Sequence, residues 1–314
     1  MIQIIEQRTG NVITFQTRAK LENFLTSKGE KINTLERAFR EKRIPLGKYR
    51  IINKSSCAEN KILHTAVLVS DIHFNYQNVH ALDILYQILG DIKEQIDEYI
   101  DMGDGVNNNA LSGFRDTETK QFTLAEELSS YKTHMEHIQE NILAGKDIKY
   151  VVLNDNHFHL RKKRFLAEYP ALKGLIPDLS NNFDEEVEHG KLYFPFDNKR
   201  VGLIHGVCWN DFFTKAHLQR YGRYDVICGH THTMQVYTSQ SGTVNDPAMR
   251  SYGIPSMCNI MSYVDGQPTR QVNGFAVMTY DKETENYNIE YIVVENGCAM
   301  FRGKLYRSEV EIDG

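Results

Sequence analysis

From residue 62 onward, two kinds of pattern alternate along the chain. HTAVLVS at 64–70 is a continuous apolar run that reads as a strand, EYIDMG at 98–103 reads as another short strand, and IKYVVLN at 148–154, RVGLIHG at 200–206 and YDVICGH at 224–230 read as three more buried strands. Between them, VHALDILYQILGDIKEQI at 79–96 repeats its apolar residues every three or four positions, and FTLAEELSSYKTHMEHIQENILAG at 122–145 reads as a long helix closed by Gly145. Strands alternating with helices predict an α/β layered fold. After residue 234 the helical pattern stops, and residues 273–297 predict an antiparallel hairpin with DKETENY as its loop.

The first 61 residues have a different texture. IQIIEQRTGNVITF predicts two short strands around Thr9-Gly10-Asn11, and TRAKLENFLTSKG a helix stopped by Gly29. INTLERAFREKRIP opens on Asn33-x-x-Glu36, a capping-box pattern, and predicts a second helix ending before Pro45. GKYRII follows as a strand, and the polar NKSSCAENK at 53–61 as a linker. The expected organisation is a small α+β module over 1–61 and a larger α/β domain over 62–314.

Charge reinforces that division. Residues 1–66 hold 13 basic and 6 acidic side chains, a net of +7, so the remainder of a chain with net charge −5 carries −12. A basic head on an acidic body suggests an anionic partner for the head. Arg37, Arg40 and Arg43 fall close together on the second predicted helix, with Lys42 beside them, and are candidate nucleic-acid contacts. No apolar stretch approaches the roughly 20 residues of a membrane helix, so no membrane partner is expected. The N-terminus lacks a signal pattern, and five scattered cysteines without CxxC spacing read as reduced thiols. Both point to a cytoplasmic protein.

The candidate chemistry lies where the strands end. Asp71-Ile72-His73, Asp104, Asn156-His157, His205 with Gly206, and His230-Thr231-His232 each follow an apolar run. In open α/β sheets that carboxyl edge is where ligands bind. Imidazole, carboxylate and amide oxygen suit divalent ions such as Mn²⁺, Fe²⁺ and Zn²⁺, and one carboxylate can bridge two of them. A further basic run, Arg161, Lys162, Lys163 and Arg164, follows the Asn-His pair and either tracks a phosphate backbone or forms the exposed face of a helix. His134 and His137, on a long polar helix, read as solvated, and Asn107, Asn108 and Asn109 as a plain polar loop.

These pieces, Asp71-x-His73, Gly103-Asp104, Asn156-His157, His205 and Gly229-His230-x-His232, resemble in order and type the motifs of the calcineurin-like metallophosphoesterases, with a segment NHFHLRKKRFL similar to phage-encoded members. The resemblance runs over roughly residues 65–300. It implies a layered β-sandwich flanked by helices. It also implies two divalent metal ions, Mn²⁺ first: Asp71, His73 and His232 on one, Asn156, His205 and His230 on the other, Asp104 bridging. His157 would stay off the metals as the catalytic acid while a metal-bound hydroxide attacks phosphorus in line. The head is similar to small helix-turn-helix repeats found beside phage and intron homing endonuclease domains. It either binds nucleic acid, which makes DNA the expected partner, or is a docking module, and the expected location is the cytoplasm, that of the host if the protein is phage-encoded.

Two positions depart from the family pattern. Asp155 stands where a Gly usually precedes the Asn, and is expected either to change the turn or to sit at positive φ; Phe158 stands where an acid usually follows the His, leaving His159 or Asp101 as substitute partners for His157. The expected function is a dinuclear-metal phosphodiesterase or nuclease acting on DNA. The alternatives are a phosphomonoesterase on nucleotides or phosphoproteins, and a non-catalytic DNA- or partner-binding protein that has lost activity through those two changes.

Overall fold

The computed structural model describes residues 2–6, 12–15, 18–29, 45–46, 49–54, 63–112, 122–177, 179, 182–240, 248–259 and 269–310, and the chain divides into two compact units, 1–62 and 63–314. In the first unit, β1 (Ile2–Glu6) and β2 (Val12–Phe15) form the expected hairpin, with Ile2 opposite Phe15. Helix α1 (Arg18–Ser27) ends at Gly29, whose φ of +73° suits a residue without a Cβ. β3 (Pro45–Leu46) and β4 (Tyr49–Lys54) complete a four-stranded sheet in the order β2-β1-β4-β3. The second predicted helix, with Arg37, Arg40 and Arg43, lies outside the described residues.

The second unit is a sandwich of two sheets with helices outside, the expected layered α/β architecture. Its first sheet contains β5 (Leu63–Val69), β6 (Glu98–Asp101), β7 (Lys149–Leu153) and β8 (Glu185–Val187), all parallel, and continues from β5 through β13 (Gly274–Asp281) to β14 (Tyr287–Val293), both antiparallel. The second sheet runs β11-β12-β10-β9, built from β9 (Val201–Ile204), β10 (Asp225–Cys228), β11 (Gln235–Thr238) and β12 (Arg250–Gly253). The inner faces meet in one apolar cluster, Ala66, Leu68, Ile100 and Val151 against Leu203, Ile227 and Ile254. β6, β9 and β10 are buried along their whole length, which is why β9 reads as a continuous apolar run and β10 as one after Asp225, while β6 buries the acids Glu98 and Asp101 beside Tyr99 and Ile100. A small hairpin of β15 (Cys298–Phe301) and β16 (Lys304–Arg307) follows.

Helices cover the outer faces. α2 (Val79–Ile92) starts where the Asn78 side chain accepts from Ala81 N at 3.0 Å, and buries Ala81, Leu85, Ile88 and Ile92 against Val67, Val69 and Tyr99. α3 (Leu124–Glu136) opens with a reciprocal Thr123–Glu126 cap and runs into a π-helical turn at 137–142 before Gly145 at φ +74°. α4 (Arg161–Glu168) continues a π-helical turn at 156–160. On the far side α5 (Phe213–Tyr221) packs Phe213 onto Ile204, Val226 and Cys228.

Register decides where the functional side chains emerge. Val69, Asp101 and Val152 are aligned across β5, β6 and β7, and Ile204 pairs with Cys228 across β9 and β10. The loops after these five strands therefore open along the carboxyl edges of the two sheets. No helix among the described residues is long and apolar enough to cross a membrane.

Candidate metal centre

The loops at this edge carry unusual backbone. Asp71 (φ 55°), His73 (51°), Asp104 (53°), His230 (72°) and His232 (57°) all occupy the left-handed region, which side chains with a Cβ rarely adopt. They are held there by hydrogen bonds between loops: Asp71 N to Gly103 O and His73 N to Asp104 O at 2.9 Å, Gly229 N to His205 O at 2.8 Å, and Val272 N to His232 O at 2.8 Å. Two glycines let the loops approach this closely. A Cβ on Gly103 would sit 2.7 Å from the His205 ring, and one on Gly229 would sit 2.0 Å from Ser70 Oγ.

The side chains converge as two groups of donors joined by one carboxylate. In the first, His73 Nε2 and His232 Nε2 are 3.3 Å apart, and Asp71 Oδ1 is 3.2 Å from His232 Nε2 and 3.9 Å from His73 Nε2. In the second, His205 Nε2 lies 2.9 Å from Asn156 Oδ1, and its ring centroid is 5.1 Å from that of His230. Asp104 Oδ2 stands between them, 3.2 Å from His205 Nε2 and 3.8 Å from His73 Nε2. His157 faces the same oxygen with Nε2 at 3.7 Å and remains 19 % exposed, whereas Asp71, His73, Asp104 and His205 are buried. All the sequence-predicted ligands thus meet at one place.

Each of four imidazoles is fixed through its other nitrogen. Nδ1 of His73 meets Asn107 Oδ1 at 3.1 Å, that of His157 the Asn107 carbonyl at 3.0 Å, that of His205 the Met102 carbonyl at 2.9 Å, and that of His232 the Cys258 thiol at 3.5 Å. A carbonyl can only accept, so His157 and His205 carry their proton on Nδ1 when neutral and turn an Nε2 lone pair to the centre. Cys258 lies near His73 and His232, but it meets His232 on the edge away from His73 and so supports the ring.

Electrostatics favour cations here. Burial opposes charge on every one of these groups. At His73 burial, reinforced by His157, wins and pushes the imidazole down to about 3; at His230 burial, reinforced by His205, brings it to about 4. At His205 burial is outweighed by Asp104, which raises the imidazole to about 10, and at His232 by Asp71, which raises it strongly. Burial likewise works to neutralise the carboxylates, but His232 holds Asp71 low, and His157 and His205 hold Asp104 low. Each carboxylate therefore keeps its charge and a cation beside it, a role in which a divalent ion displaces the proton.

The residues fit such ions. Asp71 Oδ1 is buried without a hydrogen-bond partner among the described residues. Neighbouring donors 3.2–3.3 Å apart match ligands that share an ion at about 2.0–2.2 Å each. Nitrogen, carboxylate and amide donors suit Mn²⁺, Fe²⁺ or Zn²⁺.

Of the two outcomes expected at Asp155, the changed turn is the one found and the positive φ is not: the residue is extended (φ −114°), its Oδ1 accepts from Phe158 N at 2.8 Å and His159 N at 3.1 Å, capping the 156–160 turn, and its Oδ2 accepts from Asp104 N at 2.8 Å. Other expectations need correction. Phe158 is buried in the core, and neither His159 nor Asp101 replaces the missing acid. His159 pairs with Asp155 and Asp101 accepts from Tyr131 Oη at 2.5 Å, so the Asn107 carbonyl orients His157. Asn107 is thus part of the site, not plain loop. Asn108 N donates to the buried Glu127, a second contributor the sequence reading missed.

The basic run divides. Arg161 turns inward, donating to the carbonyls of Asn107 at 2.7 Å and Asn108 at 3.3 Å, and Lys162 reaches the Pro177 carbonyl at 3.0 Å, while Lys163 and Arg164 are exposed. His134 is buried, not solvated, between Tyr86 Oη at 2.8 Å and Tyr99 Oη at 3.4 Å.

No model of a known protein family matches the chain, and no curated protein matches it. Among solved structures, it is similar to a conserved uncharacterized protein of Streptococcus pneumoniae described as a predicted phosphoesterase, at 11% identity over 78% of this chain and 98% of that one, with a TM-score of 0.35. Vps29 of Entamoeba histolytica in complex with Zn²⁺ aligns at 15% identity over 77% and 97%, with a TM-score of 0.38. GAP50 of Plasmodium aligns at 8% identity over 80% and 90%, with a TM-score of 0.37. Likeness this distant leaves the functional reading to the geometry of the centre.

Proposed function

We propose that the protein is a metal-dependent phosphoesterase with a two-ion centre, acting as a phosphodiesterase on DNA. The observation that carries this reading is Asp104, whose Oδ2 lies between the His205 and His73 groups and belongs to both. Asp71, His73 and His232 would hold one ion, and Asn156, His205 and His230 the other. Bound there, divalent ions supply Lewis-acid charge and an activated water for in-line displacement at phosphorus.

The chain's own groups account for the rest. His157 N donates to Asp104 Oδ1 at 3.2 Å, which turns Oδ2 toward the centre. The His157 ring, with its Nδ1–H on the Asn107 carbonyl, presents Nε2 at the partly exposed rim; in its doubly protonated form the Nε2–H would donate to a phosphate oxygen and pass that proton to the leaving group, leaving the neutral ring with Nδ1–H still on Asn107. Arg161 sets positive charge behind the Asn107 loop without entering the centre. The replacements at Asp155 and Phe158 leave every proposed ligand in place, which favours an enzyme over a binding protein.

DNA as substrate is supported by the exposed Lys163 and Arg164 on the helix that follows the Asn156-His157 turn and by the basic excess of the head. The test is Mn²⁺-dependent cleavage of plasmid DNA measured against phosphate release from a panel of mononucleotides. Plasmid cleavage is expected to dominate. Phosphate release alone would make the protein a phosphomonoesterase. Failure of every ester with Mn²⁺, Fe²⁺ and Zn²⁺ bound would overturn the enzymatic reading.

A further inference from the structure

The His230 side of the centre carries a feature that ion binding does not use. Between β9 and α5 the chain holds its single tryptophan in the open: Trp209 is 79 % exposed, and Phe212 nearby is 70 % exposed. Isolated exposed apolar side chains are ordinary, but this loop is pinned. Val207 N donates to His217 Nε2 at 2.9 Å, and Nδ1 of the same ring meets Phe213 O at 2.8 Å. Phe212 N donates to Asn210 Oδ1 at 2.9 Å, and Gln235 Nε2 donates to Asp211 O at 2.9 Å. The indole is therefore presented by fixed backbone.

Its position relates it to the reaction. The Trp209 ring stands edge-on to the His230 ring, with centroids 6.4 Å apart and planes at 74°. Beside it lies a recess of about 120 Å³, lined by Trp209, Asn210, Thr231, Thr233 and Gln235 together with Phe213 and the ion pair of Arg270 with Asp211 at 3.7 Å. Thr231, between two of the proposed ligands, has its Oγ1 buried with no hydrogen-bond partner among the described residues. A flat aromatic face, a recess of amide and hydroxyl groups with a guanidinium–carboxylate pair, and a proposed metal ligand at the edge are thus side by side.

We propose that Trp209 is the stacking platform for the nucleobase attached to the phosphate held at the centre, with the polar recess receiving the base edge. This rests on the phosphoesterase reading for the position of the phosphate. A base has a π-face whatever its identity, so an indole platform binds nucleotides with little sequence preference, while the phosphate is fixed next door by the ions. A bared ring on a loop whose backbone is already held needs no loop rearrangement to bind, which lowers the ordering cost of a subsite of this kind.

Because the chain has one tryptophan, its fluorescence reports the platform directly. The full-length protein, with Mn²⁺, is titrated with thymidine 5′-monophosphate and separately with deoxyribose 5-phosphate. The nucleotide is expected to quench the indole and the sugar phosphate to leave it bright; equal responses, or none, overturn the proposal. Steady-state kinetics supply the second arm, comparing a thymidine p-nitrophenyl phosphodiester with ethyl p-nitrophenyl phosphate. Trp209→Ala is expected to lower the preference for the nucleoside ester about 5- to 150-fold, mainly through KM, and Trp209→Phe to restore most of it. An unchanged preference overturns the platform while leaving the phosphoesterase standing. If neither ester is hydrolysed, the phosphoesterase reading fails and the nucleotide-specific quench alone decides the platform.

Discussion

Asp155→Asn isolates what the unusual residue before Asn156 contributes. The carboxylate serves two sets of donors at once: Oδ1 takes Phe158 N and His159 N, and Oδ2 takes Asp104 N. An amide has one acceptor oxygen. If that oxygen stays on the turn, the new NH₂ faces the Asp104 N–H, and a buried donor is left without an acceptor, at a cost of about 1–3 kcal/mol. Asp155 also pairs with His159 Nδ1 at 3.2 Å, and a buried hydrogen bond to a charged group contributes about 1.5–3 kcal/mol. Allowing for overlap between the two, the substitution costs about 3 kcal/mol. In a folded unit of this size that lowers Tm by about 6–12 °C.

The catalytic consequence follows from the same contact. Asp104 N is the anchor of the shared ligand, and a displacement of well under 1 Å there disturbs both donor groups. Turnover on a diester is expected to fall about 10- to 100-fold, with the metals still bound. Asp155→Gly removes the cap altogether and should melt lower than Asp155→Asn. Calorimetry on metal-loaded protein and initial rates on one diester make the comparison. An Asp155→Asn protein with unchanged Tm and unchanged turnover would refute the claim that this carboxylate braces Asp104.

Asp104→Asn and His205→Ala are each expected to abolish hydrolysis and lower metal content without unfolding the protein; unchanged occupancy by elemental analysis would remove both from the ligand set. His157→Ala should retain its metals and lose about 10²–10⁴-fold in rate, and loss of metal instead would make His157 a ligand. Burial holds the His134 imidazole down to about 3, so below pH 6.5 the unfolded chain takes up a proton that the folded one refuses. Stability therefore falls from that residue as pH drops from 6.5 toward 3, by about 2–3 kcal/mol at pH 4.5. His134→Gln should flatten this acid limb in denaturant titrations, and an identical slope would count against the assignment. Deleting residues 1–61 should weaken DNA affinity and flatten its salt dependence while small-diester hydrolysis persists; an equal salt slope would make the head a docking element.

What could be read in the sequence was set by burial. β9 and β10 are buried along their length, so their runs VGLI and VIC are unbroken and the polar residues after them mark the edge of a sheet; in β6 the buried Tyr99-Ile100 pair is flanked by Glu98 and Asp101, and Asp104 follows three residues beyond. That is why Asp104, His205 and His230 were legible. The supports were not, because they are long-range. The Met102 carbonyl under His205 is 103 residues away in sequence, and a backbone carbonyl leaves no trace in residue type. His134 looked solvated because its partners, Tyr86 and Tyr99, come from α2 and β6, and no helical periodicity encodes them. Arg161 looked like one more cation in a run. The turn at 156–160 aims it back at the Asn107 loop. At Asp155 a comparison with Gly considers only the turn and φ, and here the side chain performs the bracing.

The backbone of the centre argues that its shape precedes its ions. Asp71, His73, Asp104, His230 and His232 each adopt the left-handed conformation, at about 1–2 kcal/mol apiece. Strain of that order persists only where the surroundings over-determine it. Here they do: Asp71 is bonded at its N–H to Gly103 and at its carbonyl to Met257 N at 3.2 Å, His73 N is bonded to Asp104 O, and Gly103 and Gly229 admit the contact between loops. Asp71 Oδ2 in turn takes both Ser70 Oγ at 2.5 Å and His230 N at 2.9 Å, tying one donor group to a loop of the other. None of these bonds uses the oxygen or nitrogen that faces an ion. Donor atoms can therefore be changed one at a time, at Asp104 or His205, with the loops staying where the sheets and their crossed hydrogen bonds hold them. A site built this way would position ions rather than be formed by them, which is the preorganisation that the proposed in-line phosphoryl displacement would demand.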